Sequence, residues 1–405
     1  MTLRSRFNNQ FKNSNLNVAL VGAGQMGQGI VSQISKQEKI HLRYIIDRNR
    51  EKAEEAVARY KKNKLDLPSI ETDLTSLDLL DVDVVIEATG SPISGAIVSE
   101  FVLNQGIDLI LLNVETEATI GLELRKIAQE NNCVVTVGHG DEPTAAMELY
   151  NFAKDLSFDV ISIGKGKNNI FDQFAIPTDL ENEANKKKMS SKMLTSFVDG
   201  TKTMVEMTAL ANAIGFTVDK GGMHGPQATY DRLNKIFIPK EKGGILSNQK
   251  VVDFAFGIAP GVFTVIYSED EYVNYEMEYL KMGKGPYWTL YRPYHLTSLE
   301  IPRTIMHLAV NKDTILNAKT WNVYVASYAK KDMDKGDKLD SIGGHFYYGL
   351  ATNKSHQGDY LPVGIAENAT LIEPVKKGSP ILLNQVEIEQ NTIYSMWKDQ
   401  EEKLL

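Results

Sequence analysis

Residues 17–27 read NVALVGAGQMG: a short apolar run, then Gly22, Gly24 and Gly27 in GxGxxG spacing, merging into a helical pattern over residues 26–36. A strand that closes in a glycine turn and opens a helix is the first unit of a dinucleotide-binding fold. The first glycine permits the tight turn, the second lets a pyrophosphate reach the backbone, and the third brings the helix close to the strand. Unpaired amides at the helix start would hold that pyrophosphate. Gly22, Gly24, Gln25, Met26 and Gly27 are therefore candidate cofactor contacts. HLRYIID (41–47) forms the next strand pattern and ends in Asp47, twenty residues beyond Gly27, where a carboxylate would accept hydrogen bonds from an adenosine ribose. Arg48 follows at once and can stack on adenine or pair with a 2'-phosphate, so NAD and NADP both stay open.

The same alternation continues outward. VDVVIEATG (82–90), DLILLNV (108–114) and CVVTVG (133–138) are near-continuous apolar runs, as expected of strands buried on both faces. Helical patterns over 51–62, 97–104 and 121–130 separate them. Five such strands predict a Rossmann-type α/β fold with a doubly wound parallel sheet. Thr89 and Gly90 end the VDVVIEATG run at the carboxyl edge, where ligands bind in such sheets, although Ser91 or Ser94 could equally be an ordinary helix cap there.

A chain of 405 residues is more than one core normally serves. The expected division is a NAD(P)-binding domain over 1–150, an α+β catalytic domain over 151–318 and a small all-β domain over 319–405. In the middle part a helix over 144–156 should lead to FDVISIGKGKNN (158–169), a strand ending in a Gly/Lys-rich turn, and a single long helix over 196–214 should carry an apolar stripe with Asp199, Lys202 and Glu206 on its border. Beyond about residue 321 the runs VYVASYA, HFYYGLA, LPVGIA and ATLIEPV alternate with KG and GG turns, the pattern of short strands. A net charge of −8 argues against nucleic acid as a partner. The single Cys133 excludes an intrachain disulfide and any multi-cysteine metal cage. No stretch has the length of a membrane span, so a cytoplasmic protein acting on a small molecule, as a homo-oligomer, is expected.

VALVGAGQMG, VDVVIEATG and VGHGDEP together resemble the nucleotide-binding half of homoserine dehydrogenases. NVETEATIGLEL, GKGK, MLTSFVDGTKTMVEM, YLKMGKGP, YRPYHLTSLEIP, AKKDMDKGDKLDSIGG and YLPVGIAENA resemble the homoserine dehydrogenase-like oxidoreductases that carry a C-terminal SAF (β-clip) domain. That branch includes proteins described as 1-deoxy-D-xylulose 5-phosphate reductoisomerase-like. The resemblance implies nicotinamide-dependent reduction, with or without a carbon shift, on a polyol or sugar phosphate. It also implies a cofactor contact near Glu115, within Asn113–Val114–Glu115, where homoserine dehydrogenases have an Asn-Lys pair and this chain has no lysine. Their Asp and Lys that handle the substrate hydroxyl are similar to Asp199 and Lys202, here three residues apart rather than four.

Hydride transfer to a carbonyl needs a group that handles the alcohol proton and cations that orient the rest of the substrate. Lys202, held by Asp199 one turn earlier, is the expected proton carrier. Lys165 and Lys167, flanking Gly166, are expected to converge on an anion, and Arg292 and His295 to assist. His139, Asp141 and Glu142 could hold Mg²⁺ or Mn²⁺, although their spacing matches no known cage. The rival readings are a non-enzymatic dinucleotide or polyol sensor and a homoserine dehydrogenase proper.

Overall fold

The computed structural model describes residues 1–76, 81–354 and 359–404. They form two compact units, each assembled from separated stretches of chain: residues 1–141, 296–318 and 390–405 make the first, and residues 142–295 and 319–389 the second.

In the first unit β1 (Leu16–Val21), β2 (Ile40–Ile46), β3 (Ser69–Glu71), β4 (Val84–Glu87), β5 (Asp108–Leu111) and β6 (Val135–Val137) form one parallel sheet in the order β3-β2-β1-β4-β5-β6. Every residue of β4 and β5 is buried, which is why those runs are apolar without alternation. The sequence pattern supplies five of the six strands; β3 has three residues, none of them buried, and leaves no comparable signal. Helix Ile301–Asn311 buries Ile301, Ile305, Leu308 and Ala309 in the same core as β1 and β2. Residues 296–318 were expected in the catalytic domain. Their apolar face belongs to the dinucleotide-binding core instead.

Helix Val114–Glu130 kinks at Ile120 (φ −132°, ψ 17°), which releases the amides of the next turn. Gln400 replaces the lost bonds: its Oε1 accepts from Leu122 N at 3.0 Å and Glu123 N at 3.3 Å, and its Nε2 donates to the Thr119 carbonyl at 3.1 Å. Gln400 lies on helix Thr392–Leu404, so the last part of the chain is helical and belongs to the first unit rather than to an all-β tail.

In the second unit β7 (Asp159–Lys167), β8 (Thr217–Val218), β9 (Val251–Phe256), β10 (Val262–Tyr267) and β11 (Tyr287–Arg292) form a mixed sheet in the order β11-β10-β7-β9-β8. The long helix expected over 196–214 is two: Ser191–Val198 ends at Asp199, and Thr201–Ile214 begins after Gly200, whose φ of +87° no helix accommodates. The second of these helices is buried all round from Thr203 to Ala213, Glu206 and Asn212 included, rather than along a stripe. It contacts the sheet and also the antiparallel hairpin of β12 (Val323–Ala329) and β13 (Tyr347–Asn353). Asn212 joins helix to hairpin, its Nδ2 donating to the Val323 carbonyl at 2.9 Å and its Oδ1 accepting from Val323 N at 3.0 Å. The remaining tail contributes the short antiparallel pair β14 (Thr370–Leu371) and β15 (Val386–Glu387), so β structure does follow residue 321 as the turn pattern predicts.

Candidate active site

In the first unit the glycine turn opens onto a cavity of about 460 Å³. Gly22, Gly24, Asp47, Arg48 and Thr89 of the expected contacts line it, together with Lys52, Thr72, Asp73, Ser94 and Ile97. Gln25, Met26, Gly27, Gly90 and Glu115 are not among its lining residues. Gly27 serves packing: a Cβ there would stand 2.1 Å from the Gly22 carbonyl oxygen. Asp47 uses its carboxylate to shape the turn, accepting from Ala23 N at 2.7 Å and from Asn49 N at 2.8 Å. Helix Gln25–Ile34 starts at Gly24 with no side-chain cap. That start, together with the open cavity beside Gly24, fits a dinucleotide pyrophosphate. Lys52, in the first turn of helix Arg50–Lys61, lines the cavity with Arg48 and adds a second cation; the sequence showed it only as one charge of a surface helix. Ser91 is the cap of helix Pro92–Leu103, accepting from Ser94 N.

Behind this edge lie buried carboxyls. Glu87 ends β4 and accepts from the amide (2.8 Å) and the hydroxyl of Thr89. Burial, opposed by those bonds and aided by neighbouring Glu115, raises its pKa from 4.5 to about 7. Glu117 likewise rises to about 7 through burial, although it accepts from Ala318 N at 2.6 Å. Glu115 is buried beside Glu87 rather than at the cavity. A carboxyl that keeps its proton in the fold to pH 7 but loses it near 4.5 when unfolded makes stability fall as pH rises through that window, by about 3 kcal/mol for each group. Glu87→Gln and Glu117→Gln are expected to raise the unfolding temperature at pH 8 and to leave it nearly unchanged at pH 4. Thermal denaturation at the two pH values checks this, and equal shifts at both would contradict it.

The second unit holds a cavity of about 300 Å³ lined by Glu142, Lys165, Gly166, Lys167, Asn168, Asn169, Phe197, Thr203, Ala259, Pro260 and His295. Lys165 and Lys167 are not in a turn after the strand, as expected; they are the last alternate positions of β7, with the Gly166 amide donating to the Gly261 carbonyl at 2.8 Å. Gly166 lets residues 258–261 approach: its Cβ would meet Ala259 N at 2.4 Å. The Lys165 ammonium lies between two carboxylates, 2.6 Å from Glu142 Oε1 and in contact with Glu206 Oε2. Burial opposes its charge, but Glu142 and Glu206 outweigh that and raise its pKa above the ordinary lysine value. Lys167 donates to the Phe197 carbonyl. Burial and the Lys165 charge pull its pKa down to about 8, against the attraction of Glu206 and Asp199.

His295 donates from Nδ1 to the Pro260 carbonyl at 2.9 Å and stands 3.6 Å from Glu142. Arg292 is not in the cavity lining: it pairs with Glu148 at 2.7 Å and lies over the Tyr294 ring. Asp199 does not share a helix face with Lys202, because Gly200 breaks the helix between them. Its carboxylate accepts from Thr201 N at 2.8 Å and lies 2.8 Å from the Lys330 ammonium. Lys202 is half-buried, one turn before Glu206, whose carboxyl it helps keep ionised. Lys330 escapes the sequence reading, which places Glu206 only on the border of the helix stripe with no site role, although a glutamate inside MVEMTALANAI is a usable signal of a buried ionic partner. Of the residues expected to hold a metal, His139 is bonded through Nδ1 with Thr304 at 3.0 Å, and Glu142 holds Lys165.

Two protein families match successive segments of the chain. Residues 22–138 match the NAD-binding domain of homoserine dehydrogenase, and residues 140–301 match the catalytic domain of oxidoreductase DRL. The chain thus joins a segment similar to the homoserine dehydrogenase NAD-binding domain to one similar to an oxidoreductase catalytic domain, and is an NAD(P)-dependent oxidoreductase. No curated protein matches it. Solved structures similar to it include scyllo-inositol dehydrogenase from Lactobacillus casei with NAD(H) and scyllo-inositol (14% identity, 69% of this chain and 76% of that one, TM-score 0.41). Others are a myo-inositol dehydrogenase from Corynebacterium glutamicum (12%, 63% and 73%, 0.38) and UDP-N-acetylglucosamine 3-dehydrogenase from Acidithiobacillus ferrooxidans (16%, 63% and 75%, 0.38). Neither family match extends past residue 301, so the SAF-like tail rests on the sequence resemblance alone. Among the described residues no helix is long and apolar enough to cross a membrane.

Proposed function

We propose that the protein oxidises or reduces a small polyhydroxylated compound, a polyol or a sugar phosphate, bound in the cavity of the second unit. The observation that carries this reading is the lining itself: Lys165 clamped by Glu142 and Glu206, with Lys167, Asn168, Asn169, Thr203 and His295 around it. Donors and acceptors in close alternation suit a molecule with several hydroxyls. Because Lys165 is neutralised by two carboxylates, an anionic end of the substrate would rely on His295 and the side-chain amides of Asn168 and Asn169. Arg292, held by Glu148, orients the strand rather than the substrate. The dinucleotide, when bound, supplies or takes up hydride. Gly24, Asp47, Arg48, Lys52 and Thr89 would hold it, and the two adjacent cations leave room for NADP as well as NAD.

The test is a nicotinamide-fluorescence screen with NAD⁺, NADP⁺ and their reduced forms against polyols, phosphorylated sugars and homoserine, with and without Mg²⁺ or Mn²⁺. Turnover of a polyol or sugar phosphate is expected. Turnover of homoserine alone, or tight dinucleotide binding with no turnover of any compound, would overturn the proposal.

A further inference from the structure

We infer that Lys167 carries the substrate proton in this reaction, while Lys165 remains a permanent cation that sets the field around it. The inference rests on the functional reading above. Two buried lysines stand at alternate positions of β7 and line one cavity, yet their partners differ in kind. Lys165 is bonded to two carboxylates, and releasing its proton would leave them uncompensated at a largely buried site. Lys167 is bonded to a neutral carbonyl, that of Phe197, and its side chain passes the Phe171 ring at 5.6 Å. Losing a proton there strands no opposite charge. Lys202, the candidate from sequence, is not among the residues that line the cavity.

The charged groups facing Lys167 come from every neighbouring element: Lys165 on its own strand, Glu206 from helix Thr201–Ile214, Asp199 at the end of helix Ser191–Val198, and Glu142 and His295 across the cavity. Burial and Lys165 favour the neutral amine, Glu206 and Asp199 the ammonium, and the balance falls near pH 8, where an acid-base group is most effective. In oxidation the substrate O–H bond breaks and its proton forms a new N–H bond on neutral Nζ of Lys167. The O–H electron pair becomes the carbonyl π bond, and the carbon's hydrogen departs with its pair to the dinucleotide, which is the oxidant. Reduction reverses each transfer.

The first test needs neither substrate nor cofactor. Trace labelling of the full-length protein with acetic anhydride between pH 6 and 10, quantified peptide by peptide, reads the titration of each amine. Lys167 is expected to be half-reactive near pH 8 and Lys165 to stay unreactive throughout. A Lys167 midpoint above pH 10 overturns the inference. The second test uses the substrate found in the screen and Lys167→Arg, which keeps the cation and a donor to Phe197 but cannot release a proton at working pH. A fall in kcat of roughly 10²-fold or more is expected, with loss of the wild-type limb near pH 8 in the oxidation profile and little change in KM. If Lys167 proves inaccessible to the reagent, this variant decides: normal kcat with the limb intact sinks the inference and leaves the oxidoreductase reading standing. A wild type inert across the whole screen removes the functional reading itself.

Discussion

Gly24→Val is expected to abolish dinucleotide binding while the protein stays folded. A Cβ built at Gly24 meets no atom of the protein within 4 Å, and its backbone (φ −68°, ψ −165°) is extended and open to any side chain. The only structural charge against the substitution is replacing glycine at a helix cap, about 1 kcal/mol. The space the isopropyl group would fill is that of the cavity lined by Gly22, Asp47 and Thr89, where the pyrophosphate must reach the backbone. An affinity loss of roughly 10²-fold or more, about 2.7 kcal/mol, should appear in calorimetry with both NAD⁺ and NADP⁺. The unfolding temperature should move by only a few degrees. Gly27→Val makes the contrast, because its Cβ would lie 2.1 Å from the Gly22 carbonyl oxygen and must force helix and strand apart. Unchanged affinity in a folded Gly24→Val protein would move the cofactor elsewhere.

That contrast shows what one sequence can and cannot disclose. The GxGxxG spacing located the turn because its glycines answer to local geometry, and the Val/Ile runs located the buried strands because burial on both faces leaves no alternation to misread. The same logic failed at GKGK. Glycines there usually mark a turn, but Gly166 is small because residues 258–261 cross it, a requirement set by chain nearly a hundred residues away. Lysines beside such glycines suggest an anion, yet Lys165 meets Glu206, and nothing local in GKGK announces a partner on another element. The helix over 196–214 failed for a related reason. Its period was right, but the hairpin covering its second face comes from residues 323–353, so a stripe became an all-round core and the ionic residues on its border became buried pairs.

The buried pair of Asp199 and Lys330 should dominate the stability of the second unit. Their side chains are 0% and 1% exposed and 2.8 Å apart; Thr201 N also donates to Asp199 at 2.8 Å, the Thr201 side chain bonds the same carboxylate, and Lys330 Nζ donates to the Gly344 carbonyl at 2.8 Å. Removing one charge leaves the other buried and uncompensated, so Lys330→Met is expected to cost about 3–5 kcal/mol. Asp199→Asn with Lys330→Met should cost less than the two single losses together, since the double change removes both charges. The effect carries a pH signature. Burial already holds the Asp199 carboxyl above its ordinary range, and without Lys330 its strongest opposing charge is gone, leaving the Thr201 contacts and the attraction of Lys167. In Lys330→Met the fold therefore keeps a proton that the unfolded chain releases above about pH 4. Its deficit against wild type should be larger at pH 8 than at pH 5, and the double variant should lose that difference. Urea denaturation at both pH values measures it, and a loss below 1 kcal/mol at pH 8 would show the pair to be dispensable. Asp199 and Gly200 set where helix Thr201–Ile214 begins, and that helix delivers Thr203 to the cavity and Glu206 to Lys165. Lys330, just beyond β12, thus fixes from the tail the register of a helix that builds the proposed substrate site, so Lys330→Met should also disturb the field that tunes Lys167, which Asp199 helps to set.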